Sequence, residues 1–331
     1  MYFERERFSE DRKSKGITIE QLAGKSGVSE NIIKNMESGR RGIKRDTFNV
    51  LCDTLGLDAD SYWKRETKVI PALSHKGGSG KSSTAGNLAY ALAQKGMKCL
   101  LVDADSQGNL TQSYNMMPND EKNFYKAFNN NESLMKHIQP TSYENIDMVV
   151  FDEALLLLDI DIIYMDFREE RMKKILEEVV ADGIYDYIII DCHPSLNLLN
   201  RAILYASDSV IIPLVPSAFG IRGVEYLLKY TEGIKKNHPK FEILGVLFNN
   251  VDKRKSLHKY LTEEKKPEEL VGCHYLFKTI IPTDTKIEEA QYFCKPVGAL
   301  YKYSRGSKAY SKLGDEVVER IKSTSVGDRD A

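Results

Sequence analysis

Apolar positions follow two different periods along this chain. In the first 66 residues they recur at intervals of three and four, as on one face of an amphipathic helix, whereas from Lys68 onward short apolar runs alternate with longer helical stretches. The first pattern predicts a small all-α module. The second is typical of an α/β fold in which helices flank a mostly parallel, twisted sheet. We therefore predict two domains, formed by residues 1–66 and 67–331.

The composition narrows the class of protein. A chain of 331 residues with 42% hydrophobic content can bury a large core. No apolar run approaches the ~20 residues needed to cross a bilayer, and residues 1–13 are too highly charged for a signal peptide. The five cysteines show no paired CxxC spacing, which indicates reduced thiols. These observations favour a cytoplasmic protein without a membrane segment.

The net charge of −1 conceals a local excess of positive charge. Residues 38–45 contain four basic side chains and no acidic one. Nucleic acid is therefore a candidate partner for this part of the chain.

Residues 18–36 have the spacing of a helix-turn-helix. Thr18 followed by Gln21 predicts a capping box at the start of one helix. Ala23 would be the small residue where two helices meet, Gly27 the tight turn, and Ile33 the apolar anchor that points back from the second helix. The pattern predicts further helices up to about residue 13 and from residue 46 to residue 55.

The second helix of this motif, which Ser29 would cap, divides into two faces. Four apolar residues would face the core: Val28, Ile32, Ile33 and Met36. The polar residues left on the outer face, where they could meet base edges, are Glu30, Asn31, Lys34 and Asn35. Arg40 and Arg41 in the following basic turn would contact phosphates. The segment resembles the five-helix DNA-binding domains of the Cro and phage-repressor class; the alternative is a helical bundle used only for protein contact.

Residues 74–83, SHKGGSGKSS, lie between a strand predicted at residues 69–73 and a helix predicted at residues 82–94. Gly80, Lys81 and Ser82 match a phosphate loop, in which backbone N–H groups and the lysine bind phosphates and the hydroxyl holds magnesium. His75 replaces the expected first glycine, and an additional lysine, Lys76, precedes the glycine pair. This is the deviant form of the motif.

Two further strands end in acidic residues. The strand predicted at residues 98–103 brings Asp103 and Asp105 to its carboxyl end, and Asp191 follows the apolar run at residues 187–190. Ligands bind at this edge in open α/β sheets. Pro71 is unexpected in the first strand, because proline removes a ladder hydrogen bond; either that side of the strand is unpaired or the strand begins later.

Five segments occur in the order found in the deviant Walker, or ParA/MinD, superfamily of P-loop ATPases. They are KGGSGKSS at 76–83, DADSQGN at 103–109, YIIIDCHPS at 187–195, GVLFNN at 245–250 and IPTDTKIEEA at 281–290. From about Lys68 to Lys322 the chain resembles a ParA-type partition ATPase. The resemblance implies a homodimer with two ATP molecules between the protomers, in which Lys76 would cross to the phosphates bound by the other protomer.

The resemblance also implies a role for individual residues. Asp105 would orient the attacking water, while Lys76 and Lys81 would stabilise charge on the γ-phosphate. Mg²⁺ would be held by Ser82, Asp103 and Asp191. The other nucleotide contacts would come from Gly77, Gly78, Ser79, Gly80 and Ser83 at the phosphates, and from Asn249 and Pro282 beside adenine.

Proteins of this family bind DNA without sequence preference on the face distant from the nucleotide. The basic residues that could do so are Arg222, Lys229, Lys235, Lys236, Lys302, Arg305 and Lys308. The resemblance thus implies an ATPase for plasmid or chromosome segregation that associates with the nucleoid and is stimulated by a ParB-like centromere-binding protein.

Segregation has two alternatives. The helix-turn-helix would suit an ATP-gated transcriptional repressor. A MinD-like membrane-cycling ATPase would need an amphipathic C-terminal anchor, and the polar residues 322–331 argue against one. Residues 119–164 match the family poorly, and the run of four leucines at residues 155–158 is interpreted as a core element.

Overall fold

The computed structural model describes residues 2–264 and 275–327; residues 328–331 of the polar tail lie outside that range. The chain divides into two compact units. One contains the residues up to Glu66 together with Asp182–Ile184, and the other contains Thr67–Ala181 and the described residues from Tyr185 onward. Each unit has its own hydrophobic core.

The first unit is helical. Its elements are β1 (Tyr2–Phe3), α1 (Arg5–Ser14), α2 (Ile19–Ser26), α3 (Glu30–Glu37), α4 (Arg45–Leu55), a 3-10 turn (Ala59–Tyr62) and β2 (Trp63–Lys64), with β1 and β2 antiparallel. The four α-helices and the 3-10 turn give five helical segments among its described residues. The chain after α4 buries Tyr62 in the core beside Phe8 and Phe48.

The predicted capping box of α2 and the predicted turn at Gly27 are confirmed. The Thr18 hydroxyl accepts a hydrogen bond from Gln21 N, and the Gln21 side chain accepts one from Thr18 N (3.1 and 2.9 Å). Gly27 and Gly56 end α2 and α4 in the left-handed conformation that favours glycine.

Two expectations for α3 are wrong. Ile33 and Met36 are buried, but Ile32 is 46% exposed. Helix α3 presents only the side with Ile33 and Met36 to the core, and Ile32, about 100° around the helix from Ile33, faces outward. Ser29 precedes α3, yet its side chain makes no capping hydrogen bond.

The second unit contains a seven-stranded sheet flanked by helices, which confirms the predicted fold class. The strands are β3 (Lys68–Ala72), β4 (Cys99–Ala104), β5 (Gln139–Pro140), β6 (Ile146–Val149), β7 (Tyr187–Cys192), β8 (Ser209–Leu214) and β9 (Glu242–Phe248). Their order is β5-β6-β4-β7-β3-β8-β9. Only β5 pairs antiparallel among these described strands.

The helices of this unit include α5 and α15, whose apolar faces pack in the same core as β3, β4 and β7. They are α5 (Lys81–Ala93), α6 (Asn109–Ser113), α7 (Phe124–Asn130), α8 (Leu155–Asp161), α9 (Arg168–Asp182), α10 (Leu198–Tyr205), α11 (Ala218–Asn237), α12 (Ser256–Lys259), α13 (Thr285–Tyr292), α14 (Val297–Leu300) and α15 (Arg305–Gly327). Three shorter turns lie at Leu134–His137, Ile162–Tyr164 and Tyr260–Glu264.

Pro71 lies within β3, so the strand does not begin later. Val69 N and Leu73 N both donate toward β8, to Asp208 Oδ2 (2.7 Å) and Ile211 O (3.0 Å). Because alternate residues of a strand point their N–H groups the same way, the missing donor of Pro71 faces β8 between these two bonds. Of the two expectations for Pro71, the correct one is that β3 lacks a ladder hydrogen bond locally, on its side toward β8.

Only two of the four leucines at the start of α8 belong to the hydrophobic core. Leu155 and Leu158 are buried, whereas Leu156 and Leu157 are 63% and 56% exposed. The expectation that the whole run packs inside is wrong, because α8 covers the domain with one face only.

Candidate nucleotide-binding site

The phosphate loop connects β3 to α5. Gly78 and Gly80 have φ angles of +73° and +85°, which turn the chain so that α5 begins at Lys81. The helix N-terminus, with its unsatisfied N–H groups and positive dipole end, therefore faces the loop. Lys81 is 5% exposed and Ser82 follows it in the first helical turn.

Hydrogen bonds fix the shape of this loop. The Ser79 hydroxyl donates to Ser74 Oγ (2.6 Å), and Ser74 Oγ in turn donates to Lys76 O (2.8 Å). Asn249 Nδ2 donates to Ser79 O (2.9 Å) from the end of β9. Asn249 thus supports the phosphate loop directly, a contact that the expected adenine role did not include.

A cavity of about 530 Å³ opens beside the loop, large enough for a nucleotide. Phosphate-loop residues form one wall, and Asp105 and Pro194 form another. Asn249 and Pro282, expected near adenine, both line the cavity. The predicted residues brought together there are Gly77, Gly78, Gly80, Lys81, Ser82, Ser83, Asp105, Asn249 and Pro282.

Asp103 and Asp191 are paired neighbours on β4 and β7, and both are fully buried. Asp103 Oδ2 accepts hydrogen bonds from Thr111 N (2.7 Å) and Thr111 Oγ1 (2.6 Å), while Oδ1 accepts one from Asp105 N (3.3 Å). Burial raises the pKa of Asp103 to about 7, against the effect of these donors. These hydrogen bonds fix the Asp103 carboxylate in place beside Asp191.

Asp191 lies close to the start of α5. Neither of its carboxylate oxygens accepts a hydrogen bond of ordinary geometry from a described residue, although the Ser82 hydroxyl is close enough to act on it. Burial, followed by the charge of Asp103, raises the pKa of Asp191 well above the ordinary value, while the Ser82 hydroxyl and the Lys81 ammonium act to lower it. A buried carboxylate beside a serine hydroxyl at a helix N-terminus fits a magnesium ligand. No group of three or more His, Cys, Asp or Glu in the described part of the chain could hold a metal, so phosphate and water oxygens would complete the shell.

Asp105 begins the loop that joins β4 to α6. It is 2% exposed, and its Oδ1 accepts a hydrogen bond from Gln107 N (3.1 Å). Gly108 N donates to Asp105 O (3.0 Å), which closes the turn before α6. Thr111, which Asp103 binds, was missed from the sequence; its position eight residues later carries no motif signal.

Lys76 does not line the nucleotide cavity. It is exposed, and its Nζ lies 4.6 Å from the centre of the Phe219 ring at the start of α11. Lys76 and Phe219 line a separate groove of about 330 Å³, which Ser79 also lines from the phosphate loop. Phe219 was not singled out from the sequence, because nothing local links it to the loop.

The predicted base-reading residues lie on the outer side of α3. Asn31 and Lys34 are exposed; Asn35 is half-buried and donates to Asn31 Oδ1 (3.2 Å). Lys34 pairs with Glu30 (2.7 Å). Arg40 and Arg41 are both exposed in the turn that follows α3.

The predicted nonspecific DNA contacts lie at several places in the second unit. Arg222 follows Phe219 by one turn of α11, and Arg305 Nη2 donates to Thr283 O (3.2 Å). Lys236 is exposed at the other end of α11, about 25 Å from Phe219 along the helix. Lys235 is beside it and pairs with Glu242 (2.7 Å).

The phosphate loop on a mostly parallel sheet, preceded by a helical unit, defines a P-loop ATPase with an N-terminal helix-turn-helix. A family model described as "AAA domain" matches residues 67–243, and one described as "Helix-turn-helix domain" matches residues 6–66. The chain belongs to the ParA/MinD family of P-loop ATPases. Both resemblances predicted from the sequence are thereby confirmed.

Individual relatives agree with this assignment. The sporulation initiation inhibitor protein Soj of Bacillus subtilis is 35% identical over 253 residues, covering 76% of this chain and 98% of Soj. The chromosome partitioning protein ParA of Caulobacter vibrioides is 31% identical over 258 residues, covering 76% of this chain and 94% of that protein. A crystal structure of cobyrinic acid a,c-diamide synthase from Mycobacterium smegmatis, with bound ADP and magnesium, matches with a TM-score of 0.64 at 25% identity, covering 78% of this chain and 96% of that one. Within the described residues, the structure has no helix with the length and apolar character needed to traverse a bilayer.

Proposed function

We propose that this protein is an ATP-hydrolysing ATPase for DNA segregation. Two protomers would enclose two ATP·Mg²⁺ complexes, the closed dimer would bind DNA without sequence preference, and a ParB-like partner would stimulate hydrolysis. The protein would then reside in the cytoplasm on the nucleoid. The name of the Caulobacter relative, a chromosome partitioning protein, supports this role.

The proposal rests on the different positions of two lysines in the phosphate loop, Lys81 and Lys76. Lys81 is buried and lines the cavity, where it can serve the phosphates of its own protomer. Lys76, five residues earlier in the same loop, is exposed and rests against Phe219 in the neighbouring groove. A lysine that acts on the nucleotide of a second protomer needs this outward position.

The remaining side chains divide the chemistry. Lys81 and the N–H groups at the start of α5 would bind the β- and γ-phosphates. Magnesium, when bound by Ser82 and Asp191, would neutralise charge that develops on the phosphates. Asp105 would orient the attacking water. Asp103 would keep the Asp105 loop in place through its bonds to Thr111 and to Asp105 N.

The test measures DNA binding without nucleotide, with ADP and with ATP, on random duplex and on DNA from upstream of the gene. We expect binding to random duplex only with ATP, and persistent binding for Asp105→Ala. Lys76→Ala should abolish ATP-dependent dimerisation and hydrolysis, whereas Lys174→Ala, which removes an exposed lysine of α9, should leave both unchanged. Undiminished hydrolysis and dimerisation by Lys76→Ala would overturn the proposal.

A second candidate is an ATP-gated repressor. The exposed residues Asn31 and Lys34 on α3, followed by Arg40 and Arg41, favour it, because such a surface can read base edges and bind phosphates. Nucleotide-independent binding confined to the upstream DNA would support this function. Lys34→Ala should then weaken that binding without changing ATP-dependent binding to random duplex.

A further inference from the structure

Gln291 of α13 is hydrogen-bonded to the helix that follows the phosphate loop. Its Nε2 donates to the hydroxyl of Ser83, in the first turn of α5, and both side chains line the nucleotide cavity. The two residues lie 208 positions apart in the chain, so no local motif links them. The contact joins the end of α13 to the part of α5 that would meet the phosphates.

Other hydrogen bonds hold the chain around Gln291. Val297 N donates to Asn87 Oδ1 (2.7 Å), and Asn87 Nδ2 donates to Ser83 O (2.8 Å). Asn87 is only 8% exposed. Between Gln291 and Val297, Cys294 has a φ of +54° and its N donates to Gln291 O (3.0 Å), which turns the chain after α13. Gln291 is therefore presented to Ser83 by a segment that is itself bonded to α5.

The contact with Gln291 determines where the Ser83 proton can point. A serine hydroxyl has one proton to donate and two lone pairs that accept. Because Ser83 Oγ accepts from Gln291 Nε2, its own proton is directed to a different acceptor, and no protein group in the described part of the chain takes it. Ser83 lines the cavity, so an acceptor there can be an oxygen of a bound phosphate.

Ser83 lies between the residues assigned to the two ends of the nucleotide. Lys81 and Ser82, just before it, would serve the terminal phosphates and magnesium. Pro282, expected beside adenine, lies in the loop before α13. The phosphate between these two ends of a nucleotide is its α-phosphate.

We propose that Gln291 is a positioning residue for the nucleotide. Its donation to Ser83 Oγ directs the Ser83 proton to an oxygen of the α-phosphate, and a hydrogen bond to a charged acceptor is stronger than one between neutral groups. ATP and ADP both carry this phosphate, so Gln291 acts on nucleotide binding and not on hydrolysis. The inference rests on the proposed function, because it requires the cavity to hold an adenine nucleotide.

The test measures the affinity of the full-length protein for fluorescent ADP. Gln291→Met keeps the length of the side chain and removes the donor, and we expect it to weaken ADP binding about 3- to 10-fold. Gln291→Glu offers Ser83 only acceptors, so it should weaken binding at least as much. Gln94→Met is the matched control; it changes an exposed glutamine at the other end of α5 and should bind ADP like the parent.

Two further measurements separate the route through Ser83 from other effects. In a Ser83→Ala background, Gln291→Met should cause no additional loss of ADP affinity. The two diastereomers of ADPαS carry sulfur in place of one or the other α-phosphate oxygen. The ratio of their affinities should differ between the parent and Gln291→Met, and thermal unfolding without nucleotide should be the same for both proteins.

Several results would overturn the inference. They are an unchanged ADP affinity in Gln291→Met, full affinity in Gln291→Glu, and an equal loss from Gln291→Met with and without the Ser83 hydroxyl. A lower unfolding temperature for Gln291→Met with an unchanged ADPαS ratio would assign Gln291 a purely structural role. Failure of the parent protein itself to bind ADP would instead contradict the proposed function.

Discussion

Lys76 Nζ lies 4.6 Å from the centre of the Phe219 ring, across the groove between the phosphate loop and α11. This is a cation–π contact, which at an exposed site contributes about 0.5–1 kcal/mol. It holds the lysine outside the cavity of its own protomer. In the proposed ATP sandwich Lys76 would have to leave this ring to reach a second protomer, so the contact would oppose formation of that dimer.

Removing the ring should therefore favour the ATP-bound dimer. We expect Phe219→Leu to lower the protein concentration for half-maximal dimerisation by roughly 5- to 30-fold, because each of the two protomers gives up one contact of about 0.5–1 kcal/mol. Sedimentation at saturating ATP in an Asp105→Ala background measures it. Phe219→Tyr retains the ring and should behave like the parent, and in a Lys76→Ala background Phe219→Leu should have no effect; a weaker dimer for Phe219→Leu would contradict the idea.

Asp105 should affect turnover rather than affinity. Because its carboxylate lines the cavity and would position the attacking water, Asp105→Ala should lower kcat by about 10²- to 10⁴-fold. The dissociation constant for ATP should change by less than about threefold, since water positioning is not needed for binding. Glu288→Ala, which removes an exposed carboxylate from the same cavity wall, is the control and should leave kcat near the parent value.

The phosphate loop should not tolerate a methyl group at Gly80. Gly80 has a φ of +85°, and an added Cβ would lie 1.8 Å from Asn249 Nδ2, so Gly80→Ala must distort the loop or break the bond to Ser79 O. Strain of about 1–3 kcal/mol predicts a loss of ATP affinity of roughly 5- to 150-fold. A Cβ on Gly233 of α11 meets nothing within 4 Å, so Gly233→Ala is the control. Fluorescent-nucleotide titration compares the two, and equal affinities would contradict the prediction.

The parts of the site that could be predicted from sequence are those carried by consecutive residues or strand ends. Lys81 and Ser82 follow their glycines directly, and Asp105 and Asp191 stand where strands finish, so spacing alone located them in the fold. The Asn249 bond to Ser79 O spans 170 residues, and the Lys76 contact with Phe219 joins two motifs with no common spacing. Such contacts depend on how the strands are ordered in the sheet.

Burial was harder to predict than structure type. The four leucines at residues 155–158 are equally apolar, and only the position of α8 on the domain decides that Leu156 and Leu157 face outward. Ile32 and Ile33 pose the same difficulty on α3. The hydrogen-bond partners of buried polar groups were also hard to predict. The sequence indicated that Asp103 ends a strand, but gave no sign that Thr111 donates to its carboxylate twice.

Glu316 on α15 should contribute stability that disappears in acid. Its Oε1 accepts a hydrogen bond from Lys278 N (2.8 Å) and its Oε2 one from Thr279 N (2.9 Å), which anchors the segment that leads to Pro282 at the cavity. Burial acts to raise the pKa of Glu316, but these donors and Arg320 outweigh it, so the pKa lies below the ordinary value of 4.5.

A carboxylate whose pKa is lower in the folded state stabilises the protein above the unfolded pKa, and this contribution is lost as the pH falls through the folded pKa. Glu316→Gln should therefore lower the free energy of unfolding by about 1–3 kcal/mol at pH 7, with a smaller difference from the parent below pH 4.5. Urea unfolding from pH 3 to pH 7 measures this. Glu319→Gln changes an exposed glutamate of the same helix and should match the parent throughout; if the two variants gave the same pH profile, Glu316 would have no anchoring role.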